Sequence, residues 1–161
     1  MPMKPIQTQT FEMIRPMQEV DLPLVAQLFD LYRQFYEQTP DLGQAQRFIA
    51  ERFDREESVV LLAETAGKQI VGFCQMYPSF CSVEAAPIYT LYDLFVRPQA
   101  RQKGVGRALL LAAETRAVAD GKARIDLTTA KTNLTAQALY TSLGWLRDEV
   151  FFAYNRRVLR D

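Results

Sequence analysis

Four cations and two glycines crowd one short stretch of the chain, "RPQARQKGVGRALL", Arg97 to Leu110. Before it stands an apolar, β-rich run that stops at Pro98; after it the sequence turns rich in Ala and Leu, as a helix would be. A loop that carries a strand into a helix leaves the first helical N–H groups without partners, and with the helix dipole they form an anion site. Gly104 and Gly106 let backbone approach a guest closely. Arg97, Arg101, Lys103 and Arg107 add charge around it. Phosphate is the natural guest, and two phosphates suit the loop's length better than one. The Walker A pattern G-x-x-x-x-G-K-[ST] is absent. The dinucleotide fingerprint needs a third glycine, and Leu109 stands there instead. What is present is Arg-x-x-Gly-x-Gly. A glycine pair at a helix start can also serve helix packing alone; the flanking cations favour phosphate.

Downstream, "NLTAQALYTSLGW" places Asn133, Ala136, Tyr140 and Gly144 along one helical stripe, an amide and a phenol among small residues. Taken singly, these read as a capped helix with a half-buried tyrosine. Other chemistries are closed off. The chain has no histidine, so Ser-His-Asp and Cys-His catalysis are excluded. Cys74 and Cys81, without histidine partners, make no zinc site and read as two reduced thiols.

The elements that must position these groups follow from periodicity. "FEMIRPM" reads as a first strand. "DLPLVAQLFDLYRQFYEQ" reads as a helix with Asp21 as N-cap, Pro23 in its first turn and a stripe of Leu24, Leu28, Leu31 and Phe35. "LGQAQRFIAERFDRE" is a second amphipathic helix. "SVVLLAET" and "QIVGFCQMYP" form a hairpin about "AGK". "APIYTLYDLFVRP" is a long strand and "VGRALLLAAETRAVADG" a helix closed by Gly121. "KARIDLTTA" is a strand, "NLTAQALYTSLG" a helix capped by Asn133 and stopped by Gly144, and "EVFFAYNRRV" a last strand. The early hairpins imply antiparallel pairing and the later strand–helix–strand units parallel pairing, in one mixed sheet with helices against it. Residues 1–11 read as a flexible polar tail and 12–161 as a single domain. Formal net charge is zero, so no global field draws the chain to nucleic acid or a membrane surface. No apolar run reaches the ~20 residues of a membrane span.

The two motifs together resemble the GNAT superfamily of N-acetyltransferases. There a strand ends in V-x-P, R/Q-x-x-G-x-G/A holds the pyrophosphate of acetyl-CoA, and N-x-x-A-x-x-x-Y-x-x-x-G follows. The likeness covers residues 12–158. Gln102 departs from it, at a backbone-donating position where the family often has glycine. "LYDLFV" looks like the small-amine, Hpa-type branch; Tyr92 stands where diamine acetyltransferases carry an acid.

The resemblance implies an α+β fold, a mixed, mostly antiparallel twisted sheet of about seven strands flanked by about four helices. It implies acetyl-CoA as cofactor, held by Leu94, Phe95 and Val96, by Arg101, Gln102, Lys103, Gly104, Val105, Gly106 and Arg107, and by Asn133, Ala136 and Tyr140. The reaction is transfer of the acetyl group to a primary amine by direct attack in a ternary complex. The oxyanion needs a donor, which the resemblance places at backbone near Phe95. Tyr140 is the candidate acid for the leaving sulfur. A primary amine with pKa near ~10 is charged at neutral pH and must lose a proton. Asp93 is the candidate base, unless strand alternation turns it from the face of Tyr92, with Glu84 and Asp126 behind it. Tyr32, Tyr36, Tyr77, Phe80, Tyr92 and Trp145 are candidate walls of an acceptor pocket. The acceptor is expected to be a small-molecule amine, and the protein a cytoplasmic homodimer that binds neither metal, nucleic acid nor membrane. The competing classes are a protein acetyltransferase, a non-catalytic acyl-CoA sensor and a nucleotide-binding module.

Overall fold

The computed structural model describes residues 11–158. The tail expected over residues 1–11 lies outside them, except for Phe11, which opens the first strand. The chain divides into two compact units, 1–128 and 129–161.

The first unit runs β1 (Phe11–Pro16), α1 (Leu22–Phe35), α2 (Leu42–Asp54), β2 (Val59–Thr65), β3 (Ile70–Cys81), β4 (Ala86–Val96), α3 (Val105–Ala119) and β5 (Ile125–Leu127). The strands form one sheet in the order β1-β2-β3-β4-β5. Every pairing is antiparallel except β4 with β5, which is parallel. That is the mixed sheet read from the sequence, with five strands among the described residues and not seven.

Val25, Leu28 and Phe29 of α1 and Ala45 and Ile49 of α2 bury against Val60, Leu62, Phe73 and Phe95 of the sheet. On the opposite face Val105 and Leu109 of α3 press on Gly72. A Cβ there would stand 3.0 Å from the Phe95 carbonyl and 3.2 Å from Val105. Adjacent strand residues face opposite ways, so Gly72 and Phe73 serve the two helical layers. The close approach at Gly72 seats the first turn of α3 over the end of β4. The far end of α3 closes as expected, with Gly121 at φ 66 and its N–H on Val118 O at 3.1 Å.

One expectation for α1 fails and another holds in part. Leu24, Leu31 and Phe35 are exposed, and only Leu28 of that stripe is buried. The helix carries a second apolar series, Leu22, Val25, Phe29 and Tyr32, and that one faces the sheet. Asp21 stands at the N-cap position of α1 as expected, but its side chain makes no capping bond to the helix. Its carboxylate takes two N–H groups of Arg15, at 2.7 and 2.8 Å, and the backbone N–H of Gln18 at 2.8 Å. With Glu64 on the other side of Arg15, this ties β1 to the entry of α1. The Arg15 guanidinium holds the Asp21 carboxyl below its ordinary value.

The second unit holds α4 (Leu134–Ser142). Its N-cap is Asn133, whose side chain accepts from Ala136 N at 3.2 Å, and Gly144 follows the helix at φ 85. The strand expected at "EVFFAYNRRV" is not formed: residues 149–158 have no sheet partner among the described residues. Asp148 instead folds the start of the segment into a turn, accepting from Val150 N at 2.7 Å and Phe151 N at 3.1 Å.

Candidate active site

Strand β4 decides the geometry. It pairs with β5 only from Tyr89 to Leu91, so from Tyr92 to Val96 its sheet neighbour among the described residues is β3 alone. Phe73 stands opposite Phe95, Gly72 opposite Val96, and Arg97 N bonds to Val71 O at 2.8 Å. Antiparallel alternation then turns the backbone of Phe95 toward β3 and that of Leu94 and Val96 toward the unpaired side. The Val96 carbonyl on that side accepts from Arg101 Nε at 2.9 Å. The exposed donors of this edge are thus the N–H groups of Leu94 and Val96, the neighbours of Phe95. The Phe95 side chain is core.

The edge runs into the basic loop. Gln102 at φ 60 and Gly104 at φ 78 are both left-handed. Such alternation gathers successive N–H groups into a concave anion nest. From Gln102 to Gly106 none of these N–H groups finds an acceptor among the described residues. The cations are held by neutral carbonyls: Arg97 Nε by Ile70 O at 3.2 Å, Arg101 by Val96 O, and Lys103 Nζ by Gln99 O at 3.1 Å. None of these three has an acidic partner among the described residues, so their charge is uncompensated. Arg101 also lies over the rings of Phe95, at 5.7 Å, and Phe35, at 5.9 Å. Phe35, the last residue of the stripe read along α1, is part of this corner.

On the α1 face the register slips between Gln75 and Met76, which face Asp93 and Leu91. Tyr92 is the extra residue of a bulge. Alternation therefore does not separate it from Asp93. The Tyr92 ring packs on Tyr77 at 5.7 Å, and Tyr77 shares a face with Gln75, the partner of Asp93. Tyr32 of α1 donates its hydroxyl to the Tyr92 carbonyl at 3.0 Å and packs on Tyr36 at 5.2 Å. Asp93 is 3% exposed and accepts from Gln75 Nε2 at 2.6 Å. Burial pushes its carboxyl above the ordinary value of 3.8; Gln75 and the nearby Tyr32 hydroxyl pull the other way. The phenols of Tyr32 and Tyr77 are pushed up by burial and then by the Asp93 charge.

Four of the expected pocket residues, Tyr32, Tyr36, Tyr77 and Tyr92, thus gather about Asp93. Phe80 does not; it sits opposite Pro87 near the β3–β4 turn, 78% exposed. Glu84 and Asp126 both pair with Arg124, at 2.8 and 2.7 Å, which holds them as ion partners. Gln75 escaped the sequence reading. Its signal was a lone amide in an apolar strand, spaced by two from Phe73 and Tyr77. Cys74 is buried, its thiol pushed up to about 12 by burial, and Cys81 is also free. In the second unit Asn133, Ala136 and Tyr140 lie on or cap α4, and the Tyr140 ring rests on Trp145 at 6.0 Å.

The sequence profile of the Acetyltransferase (GNAT) family matches residues 25–145. The chain belongs to this family. As a GNAT acetyltransferase it is an acyltransferase, and the family uses acetyl-CoA as co-substrate. It is 43% identical over 141 residues to the "Uncharacterized N-acetyltransferase YhfO" of Bacillus subtilis (strain 168), covering 88% of this chain and 94% of that one. A crystal structure of a probable acetyltransferase shares the fold at TM-score 0.86 and 32% identity, over 93% of this chain and 100% of that one. An aminoglycoside N-acetyltransferase, AAC(6')-Iy, in complex with CoA shares it at TM-score 0.78 and 19% identity, over 95% of this chain and 99% of that one.

Proposed function

We propose that this GNAT acetyltransferase moves the acetyl group of acetyl-CoA to a primary amine of a small molecule, by direct attack with both substrates bound. The observation that carries the reading is the corner at the end of β4, where an open strand edge meets a nest of unpartnered N–H groups ringed by uncompensated cations. These donors suit a pyrophosphate followed by an extended amide chain: the nest and Arg101 take the phosphates, and the Leu94 and Val96 edge takes amides as a neighbouring strand would.

When bound, acetyl-CoA supplies a thioester carbonyl as electrophile. Leu94 N–H and Val96 N–H on the β4 edge are the donors available to its oxygen. Asp93 takes a proton from the incoming ammonium. A carboxylate whose pKa burial has raised is a better base near neutral pH than a solvated one. Tyr140 gives or shares its phenolic proton with the leaving sulfur. The four tyrosines about Asp93 favour a slender amine, since their faces attract a cation and exclude bulk.

The test is direct. Purified protein is titrated with acetyl-CoA and with ATP by calorimetry. It is then assayed for free CoA thiol against a panel of small amines, lysine peptides and protein N-termini. Binding of acetyl-CoA alone with turnover of small amines is expected. Turnover confined to peptides would move the acceptor to protein; binding without turnover on any amine would leave a sensor; and loss of acetyl-CoA binding would overturn the reading.

A further inference from the structure

Gln75 lies on β3 with no exposed surface, directly opposite Asp93 at the bulge. Its Nε2 reaches Asp93 Oδ2 at 2.6 Å, and its Oε1 is buried with no hydrogen-bond partner. A buried acceptor left unpaired opposes folding. Methionine would fill the same volume without that loss. An amide here is therefore explained by what it does for the acid, not by packing.

A side-chain amide is a donor at one end and an acceptor at the other. Facing a carboxylate, only the nitrogen end avoids setting two acceptors against each other. Facing a carboxylic acid, the oxygen end can accept the new O–H. We propose that Gln75 is a positioning residue for Asp93: its amide aims the carboxylate, donates to it while it is charged, and turns to accept from it once it is protonated. The proposal rests on Asp93 being the base. In that step the ammonium N–H bond breaks, its electron pair stays on nitrogen as the nucleophilic lone pair, and the proton forms the O–H of Asp93. The turned amide then receives that O–H at the oxygen that is orphaned in the charged state. Gln75 gives up a donor bond and gains an acceptor bond, so neither form of the acid is left without a partner.

Other titratable and charged groups face Asp93 or the tyrosines that surround it. They are Tyr32 and Tyr36 of α1, Arg52 of α2, Cys74 and Tyr77 of β3, and Tyr92 of β4. The Tyr32 and Tyr77 phenols and the Cys74 thiol are all pushed up, and Arg52 stays charged.

The experiment titrates the Asp93 carboxyl carbon by NMR in the intact chain without cofactor, for wild type and Gln75→Met. The midpoint should rise by roughly one pH unit in Gln75→Met, because the bond to the charged form that is lost is stronger than the bond to the neutral form. The acid limb of kcat/KM with the best amine should move up with it. An unmoved midpoint in folded Gln75→Met overturns the proposal, even if turnover falls at every pH. Wild type supplies a reading that needs no substitution. The Gln75 amide proton shifts should change with the same midpoint as Asp93, and flat shifts through that titration would also overturn the proposal. Asp93→Asn separates the two layers. Wild-type turnover in Asp93→Asn removes the base and this proposal together, whereas an inactive Asp93→Asn with an unmoved Gln75→Met midpoint removes this proposal alone.

Discussion

The proposed reaction gives Tyr140 the leaving sulfur and Asp93 the incoming amine, and single-atom substitutions distinguish the two roles. Tyr140→Phe keeps the ring that rests on Trp145, so folding should change little. If the phenol serves the leaving sulfur, its loss lowers kcat and leaves acetyl-CoA affinity nearly intact. A thiol leaves fairly well unaided, so the loss should sit near ~10²-fold, the low end for general acids. Wild-type kcat with chemistry rate-limiting would make Tyr140 a wall of the site. Asp93→Asn should lower kcat by ~10²–10⁴-fold. It should also stabilise the fold, and the sign follows from linkage. The folded pKa of Asp93 is raised by burial. The stability of its neutral form is therefore fully present below the unfolded value and lost as pH rises through the folded one. Asparagine stays neutral throughout and keeps that stability. Urea melts should show Asp93→Asn ahead of wild type at neutral pH, with the gap closing as pH falls into the ordinary carboxylate range. A gap that does not change with pH would mean that Asp93 is not the group responsible.

At the scale of the element, the loop before α3 holds two left-handed residues, only one of them glycine. Gly104 has φ 78, and an added Cβ there would meet nothing within 4 Å. Gly104→Ala should therefore fold, with about 1–2 kcal/mol lost to the left-handed strain. Its methyl would project into the space where phosphate must approach, so acetyl-CoA should bind at least ~10-fold more weakly, about the weight of one good hydrogen bond. Unchanged affinity would remove the loop from the site. Gln102, at φ 60, carries the same strain natively. Gln102→Gly should raise stability by up to ~1 kcal/mol in a thermal melt, and a loss would show that the side chain supports the loop. This loop was legible from the sequence because glycines, cations and a strand-stopping proline lie within a few residues of one another. Asp93 with its tyrosines was legible only by residue type. The bulge at Tyr92 that sets them on one face is a matter of register between strands, and alternation along one strand cannot show it. The α1 stripe was misread for a similar reason: two apolar series run side by side along the helix, and only the sheet chooses between them. "EVFFAYNRRV" has strand propensity, but a strand is a ladder with a neighbour, and Asp148 turns the chain there instead.

Over the whole molecule the charges cancel, with 19 Lys and Arg against 19 Asp and Glu. A polyanionic cofactor is therefore drawn by no net field, and on the proposed reading its attraction comes from Arg97, Arg101, Lys103 and Arg107. Of these, Arg97, Arg101 and Lys103 are bound to carbonyls, which orient the charge without neutralising it. Elsewhere cations such as Arg15, Arg33, Arg52 and Arg116 sit in ion pairs with neighbouring carboxylates. Salt should thus act differently on binding and on folding. At 100 times its dissociation constant, acetyl-CoA adds about 2.7 kcal/mol to the folded state. For a chain of this size that is on the order of 5–10 °C in Tm. Raising the ionic strength from about 0.05 to about 0.5 M shortens the screening length from ~14 to ~4 Å. At fixed cofactor concentration the Tm shift should then shrink markedly. The Tm of the protein alone should move little, since there is no net self-repulsion to screen and its exposed ion pairs are each worth less than about 1 kcal/mol. Thermal melts with and without acetyl-CoA across that range measure both quantities at once. A cofactor-induced shift of the same size at high and low salt would mean that the corner's cations do not hold the phosphates and that the strand edge supplies the affinity.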